Sequence, residues 1–64
     1  MNEHYRGAAR HLLLRLLAEA GRGRDRYAAD RCLVEATRWL RFHPDDAAIL
    51  EARDRLRASF PPLR

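Results

Sequence analysis

Between Tyr27 and Leu56 the chain reads YAADRCLVEATRWLRFHPDDAAILEARDRL, and this stretch decides the fold. It predicts two amphipathic helices joined by a tight turn at His43-Pro44-Asp45-Asp46. A residue before proline avoids helical geometry, so the first helix stops at about Phe42. Proline is accepted in a first helical turn, and aspartates favour the positive N-terminal end of a helix. One of Asp45 and Asp46 is therefore expected to cap the helix that follows. Ahead of the turn, Ala29, Cys32, Leu33, Ala36, Trp39 and Leu40 recur at helical spacing and form one stripe over residues 26–42. Small residues at 29, 32 and 36 let another helix approach closely, and Trp39 and Phe42 are the expected large anchors. After the turn, Ala48, Ile49, Ala52 and Leu56 are expected to face inward over residues 45–58, with Ala47 at the edge and Leu50 outward. Glu51–Arg55 and Asp54–Arg57 have the spacing of supporting ion pairs.

Upstream, residues 3–20 carry strong helix formers, no proline and no β-branched residue. Tyr5, Ala9, Leu12, Leu13, Leu16 and Ala20 share one face, which the hairpin would cover. Leu17 falls on the shoulder of that stripe and Leu14 nearly opposite it. Two readings stand for these surplus leucines: ordinary exposure, or a second surface that meets a partner. Asn2 is placed to cap the start. Gly21 or Gly23 is expected to close the helix, since glycine takes the left-handed conformation that ends many helices. Arg22 and Arg24 would then sit at the negative end of its dipole, and Asp25 would cap the next helix.

The outer line of the second helix carries Tyr27, Arg31, Val34 and Arg38. This mixture of aromatic, aliphatic and arginine side chains suits an interface, and equally a solvated face with snorkelling arginines. At the C-terminus, Ser59-Phe60-Pro61-Pro62-Leu63-Arg64 cannot continue a helix and is expected to be extended. Phe60 and Leu63 would fold back on the bundle or enter a groove on a neighbour. The expected whole is a single all-α domain over residues 1–64, a small three-helix bundle of antiparallel helices.

Composition narrows the function classes. At 64 residues the chain buries little surface, and such domains draw stability from cross-links, metals or partners. Cys32 is the single cysteine, which excludes an internal disulfide. His4 and His11 share a face but lie about 10 Å apart along a helix, too far for one ion. His43 and Cys32 have no second ligand nearby, so no metal or cofactor is expected. One serine, one threonine and a cysteine on an apolar face make no nucleophile–base set, and no site for enzymatic catalysis is expected. The formal charge is +4, and all thirteen basic residues are arginines, interleaved with nine acids. Arginine without lysine, beside abundant alanine and leucine, is also what GC-rich coding gives, which weakens the charge as a sign of nucleic acid. No secretory signal opens the chain, and Arg15 interrupts the Leu12–Leu14 run, so a cytoplasmic, non-membrane protein is expected.

From Gly21 to Leu56 the pattern resembles a tetratricopeptide repeat. Cys32 and Leu33 stand at its small-then-aliphatic positions. Leu40, Phe42 and Pro44 stand at its late leucine, apolar and proline positions, and Asp45-Asp46 at the polar pair that follows. Leu17 and Gly21 resemble the step that ends its first helix. The chain departs from the pattern at Trp39, usually small, and in the spacing from Gly21 to Cys32, which is several residues too long. The resemblance implies about one degenerate repeat plus a following helix, working as a protein-binding scaffold that stacks on neighbours.

The leading expectation is thus a non-catalytic adaptor or accessory subunit that binds a protein partner or copies of itself. Its candidate interface residues are Leu14, Leu17, Tyr27, Arg31, Val34, Arg38, Leu50 and Phe60. The alternative is an arginine-rich helical protein that binds nucleic acid through Arg22, Arg24 and Arg26. Against it, the helix after the turn begins with two aspartates, which would repel phosphates where a recognition helix approaches them.

Overall fold

A computed structural model describes residues 3–23 and 25–60, with side chains from residue 7 onward. The expected Asn2 cap, the roles of His4, Tyr5 and Arg24, and the course of the Leu63 tail lie outside the described residues. Three helices pack against one another: α1 (Glu3–Gly23), α2 (Arg26–Phe42) and α3 (Ala47–Ser59). Among the described residues there are no strands. The chain is a small all-α bundle.

The local chemistry of the turns sets the element ends. Asp25, in extended geometry, accepts a hydrogen bond from the Ala28 amide at 3.1 Å and caps α2. His43 ends α2: its own amide still donates to the Trp39 carbonyl at 2.9 Å, but Pro44 holds it out of helical geometry. Asp46 caps α3, accepting from the Ile49 amide at 3.3 Å. The same device ends α3, where Phe60 precedes a proline and donates its amide to the Arg57 carbonyl at 3.3 Å. The third helix thus starts two residues later than the sequence predicts and ends one later.

The first helix is longer than expected. It runs through Gly21 to Gly23, and neither glycine takes a positive φ. Glycine permits a stop but does not force one. Here Leu56 and Ser59 of α3 pack beside Gly21, and this contact rewards a continued helix.

Contacts give the chain directions. The Cys32 thiol reaches the Leu16 carbonyl at 3.7 Å, and Ala9 lines a groove together with Phe42, so α1 and α2 run antiparallel. Arg10 meets Asp46 at the start of α3, and Gly21 meets Leu56 near its end, so α1 and α3 run parallel. The core is entirely apolar: Leu17 and Ala20 from α1, Ala29, Ala36 and Leu40 from α2, Ile49 and Leu56 from α3. Ala29 and Ala36 are fully buried, and their small size brings the three helices close. Burying a side chain such as Ile49 stabilises by about 2 kcal/mol, so a core with so few large members leaves a modest margin.

The face of α1 that points inward differs from the expected one. Leu17 is 2% exposed, whereas Leu12 and Leu16 are 53% and 42% exposed and Ala9 is exposed too. Leu14, expected to point away, is half-buried against the core. The reason is that α1 contacts two helices. Leu13 lines the groove against α2, while Gly21 meets Leu56 of α3. A stripe centred for one neighbour is therefore rotated. In α3, Ala48 is exposed and Leu50 half-buried, the reverse of the expectation; in α2, Phe42 is 73% exposed instead of anchoring the core.

Candidate functional site

One end of the bundle is held by a polar junction. Asp46 reaches it because the His43–Asp46 turn, closed by the Asp46 amide on the His43 carbonyl at 3.1 Å, aims its carboxylate back at α1 and α2. Arg10 of α1 donates through Nε to Oδ2 at 2.8 Å and through Nη2 to Oδ1 at 2.9 Å, a bidentate pair. Trp39 of α2 donates its indole N–H to Oδ2 at 2.9 Å, and the Ile49 amide of α3 donates to Oδ1. One carboxylate therefore binds all three helices. The Asp46 side chain is 10% exposed, against 36% for that of Arg10. The Arg10 guanidinium, then the indole and the amide, hold the Asp46 carboxyl well below the usual carboxylate range, against the opposing effect of burial. The carboxylate in turn raises Arg10 above its ordinary value.

Beside this junction lies an open apolar groove of about 420 Å³ between α1 and α2. Ala9, Leu12, Leu13 and Leu16 form one wall; Trp39, Phe42 and His43 form the other, with Glu35 and Arg38 on the rim. Trp39 belongs to both places: its N–H edge is tied to Asp46 while the ring lines the groove, stacked on His43 at 4.3 Å between centroids. On the outer edge of α1, Arg15 and Glu19 pair at 3.6 Å; on α2, Arg38 and Glu35 pair at 3.7 Å.

The Thr37, Ser59 and Cys32 side chains donate to backbone carbonyls. Thr37 donates to the Leu33 carbonyl at 2.9 Å, Ser59 to the Arg55 carbonyl at 3.2 Å, and Cys32 to that of Leu16. Burial pushes the Cys32 thiol up, away from the thiolate a nucleophile needs. Among the described residues, no group of three or more histidines, cysteines and carboxylates is placed to hold a metal ion. No helix among them is long and apolar enough to cross a membrane.

The structure separates the candidate interface residues. Tyr27 and Val34 are 71% and 55% exposed, and Arg31 and Arg38 are exposed with them on the outer line of α2. Leu17 is instead a core residue, and Leu14, Leu50 and Phe60 are half-buried against the core. Phe60 folds back on its own domain. Of the arginines considered for nucleic acid, Arg22 is exposed in the last turn of α1, while Arg26 pairs with Asp30 at 3.7 Å in the first turns of α2. Glu51 and Arg55 pair at 3.9 Å; Asp54 pairs with Arg53 at 2.9 Å rather than with Arg57.

Two features escaped the sequence reading. The Arg10–Asp46 pair spans 36 residues, and no local pattern marks it. The groove residues Leu12, Leu16 and Phe42 read from the sequence as inward-facing, and on α1 the surplus falls at Leu14 and Leu17 instead, because the apolar arc of that helix is wider than one neighbour needs. Comparison with known protein families, characterised proteins and solved structures found no match.

Proposed function

We propose that this chain is a non-catalytic protein–protein interaction module, a small cytoplasmic adaptor or accessory subunit that self-associates or docks on a larger partner through its α1–α2 face. The observation that carries this reading is the groove. Leu12, Leu16 and Phe42 are large apolar side chains exposed side by side around an apolar trough, a surplus that isolated surface leucines do not explain. The hydroxyl and thiol groups bonded to nearby backbone carbonyls support a binding role over a catalytic one. The tetratricopeptide-like reading is compatible with three packed helices, with α1 and α2 taken as the hairpin and α3 as the following helix. A single repeat leaves a face for a neighbour to cover.

The test is a photo-reactive phenylalanine analogue placed at Phe42 in cells, with a control at exposed Asp54. Protein adducts from position 42 and none from position 54 are the expected outcome. Equal labelling from both positions, or none from 42, rejects the reading.

A further inference from the structure

We propose that the occupant of the α1–α2 groove is an acidic amphipathic helix of a partner protein, seated with its apolar stripe in the trough and its carboxylates toward Arg38 and Arg41; the proposal rests on the interaction-module reading above.

The trough selects a helix. Its α1 wall, Ala9, Leu12, Leu13 and Leu16, is apolar throughout, and Trp39 and Phe42 face it from α2. The Trp39 N–H, the one polar atom in these six side chains, is already bonded to Asp46. A segment laid in such a trough finds no partner for its own backbone groups, and each one buried unpaired costs free energy. An extended peptide meets that need by adding to a sheet edge, and among the described residues there are no strands. A helix brings its backbone bonds with it. From Ala9 to Leu16 the trough runs about 10 Å at the helical rise, so two turns of a partner cover it. Apolar residues recurring every three and four positions supply the anchors.

Charge selects the acidic kind. The α1 wall of the groove carries no charged side chain, while Glu35 and Arg38 stand on the α2 rim. Arg38 also lines an adjoining hollow of about 260 Å³ with Val34, Thr37 and Arg41. Across the two hollows there are thus two arginines and one glutamate. Glu35 reaches Arg38 at one nitrogen, Nη1, at 3.7 Å, with both side chains more than half exposed. Such a surface pair is worth little and leaves most of the five guanidinium N–H groups to bond elsewhere. Arg41 is exposed and makes no ion pair among the described residues. Arg31, exposed two turns before Arg38, extends the same basic edge. With the charge confined to α2, the fitting partner carries its carboxylates along one flank of its apolar stripe.

The test titrates the full chain into an end-labelled peptide of about 14 residues, with leucines on one helical stripe and glutamates along one flank, read by fluorescence anisotropy. This peptide is expected to bind about tenfold tighter than the same peptide with lysines in place of the glutamates, by a margin that shrinks as salt rises. Arg38→Glu combined with Arg41→Glu is expected to reverse that order with an unchanged far-ultraviolet helical spectrum, since both side chains are exposed. The same change in net charge placed at exposed Arg22 and Arg57 is expected to preserve the order. A proline in the middle of the peptide is expected to abolish binding. Equal affinity for the two peptides overturns the proposal, as does an order that survives the reversal at Arg38 and Arg41, undiminished binding of the proline peptide, or no binding of the acidic one. A doubled mass in light scattering that Phe42→Arg returns to a single protomer gives the groove to a second copy instead. If the acidic peptide fails while position 42 still gives protein adducts, the partner's chemistry falls and the interaction reading stands. Failure of both ends both.

Discussion

The Asp46 junction and the α1–α2 groove lie side by side and share Trp39, yet they are built on opposite terms. At the junction one carboxylate, its side chain 10% exposed, accepts from Arg10, the Trp39 indole and the Ile49 amide. In the groove the apolar side chains have solvent on one side. A satisfied polar cluster has nothing left to offer a partner; an open apolar trough gains by being covered. The difference fits the proposed reading, in which one region holds the helices together and the other is the docking face.

Four measurements bear on that division. The largest effect is expected where the two sides of α1 are compared directly. Leu17→Ala opens a cavity in the core and should cost about 3 kcal/mol, lowering the melting temperature by roughly 15 °C in so small a domain. Leu12→Ala, in dilute solution, should cost less than about 1 kcal/mol. Comparable losses would mean that the groove side is core after all.

Next comes Asp46→Ala, expected to cost about 2–3 kcal/mol through the lost cap and the indole and guanidinium left without their acceptor. Thermal unfolding followed by circular dichroism reads it, and a loss below about 0.5 kcal/mol would deny the junction its structural role.

Acid provides the third test. Because the Asp46 carboxyl is depressed in the folded state, its contribution is present above the unfolded-state value near 4 and is lost as pH falls through the lower folded value. The wild-type chain should therefore lose about 2 kcal/mol relative to Asp46→Asn between roughly pH 5 and pH 2. Parallel pH profiles for the two proteins would contradict this.

The smallest effect is expected for Phe42→Ser, within about 0.5 kcal/mol of wild type in dilute solution. A large loss there would place Phe42 in the fold rather than in the interface.

How far the sequence carried can be traced residue by residue. The hairpin was legible because its punctuation is local: Asp25, His43-Pro44 and Asp46 act within a few residues of themselves, and α2 has the expected bounds. The inward face of α1 was not legible, because Leu12, Leu13, Leu14, Leu16 and Leu17 cover most of the helix circumference. Which of them is buried depends on where two other helices lie. Phe42 misled for the related reason that size and apolarity predict burial only when a partner is present in the same chain. The role of Asp46 was half legible: the cap follows from its position, the clasp on Arg10 and Trp39 does not.

The indole shared by the two regions has a practical consequence. Trp39 is the only tryptophan in the chain, so its emission is an intrinsic reporter with no second source to subtract. Melting the junction frees the indole N–H into water and should red-shift the emission. Covering the groove dries the ring face without breaking the Asp46 bond, and should shift it to the blue. Unfolding and association can thus be told apart by colour in one cuvette, without a label.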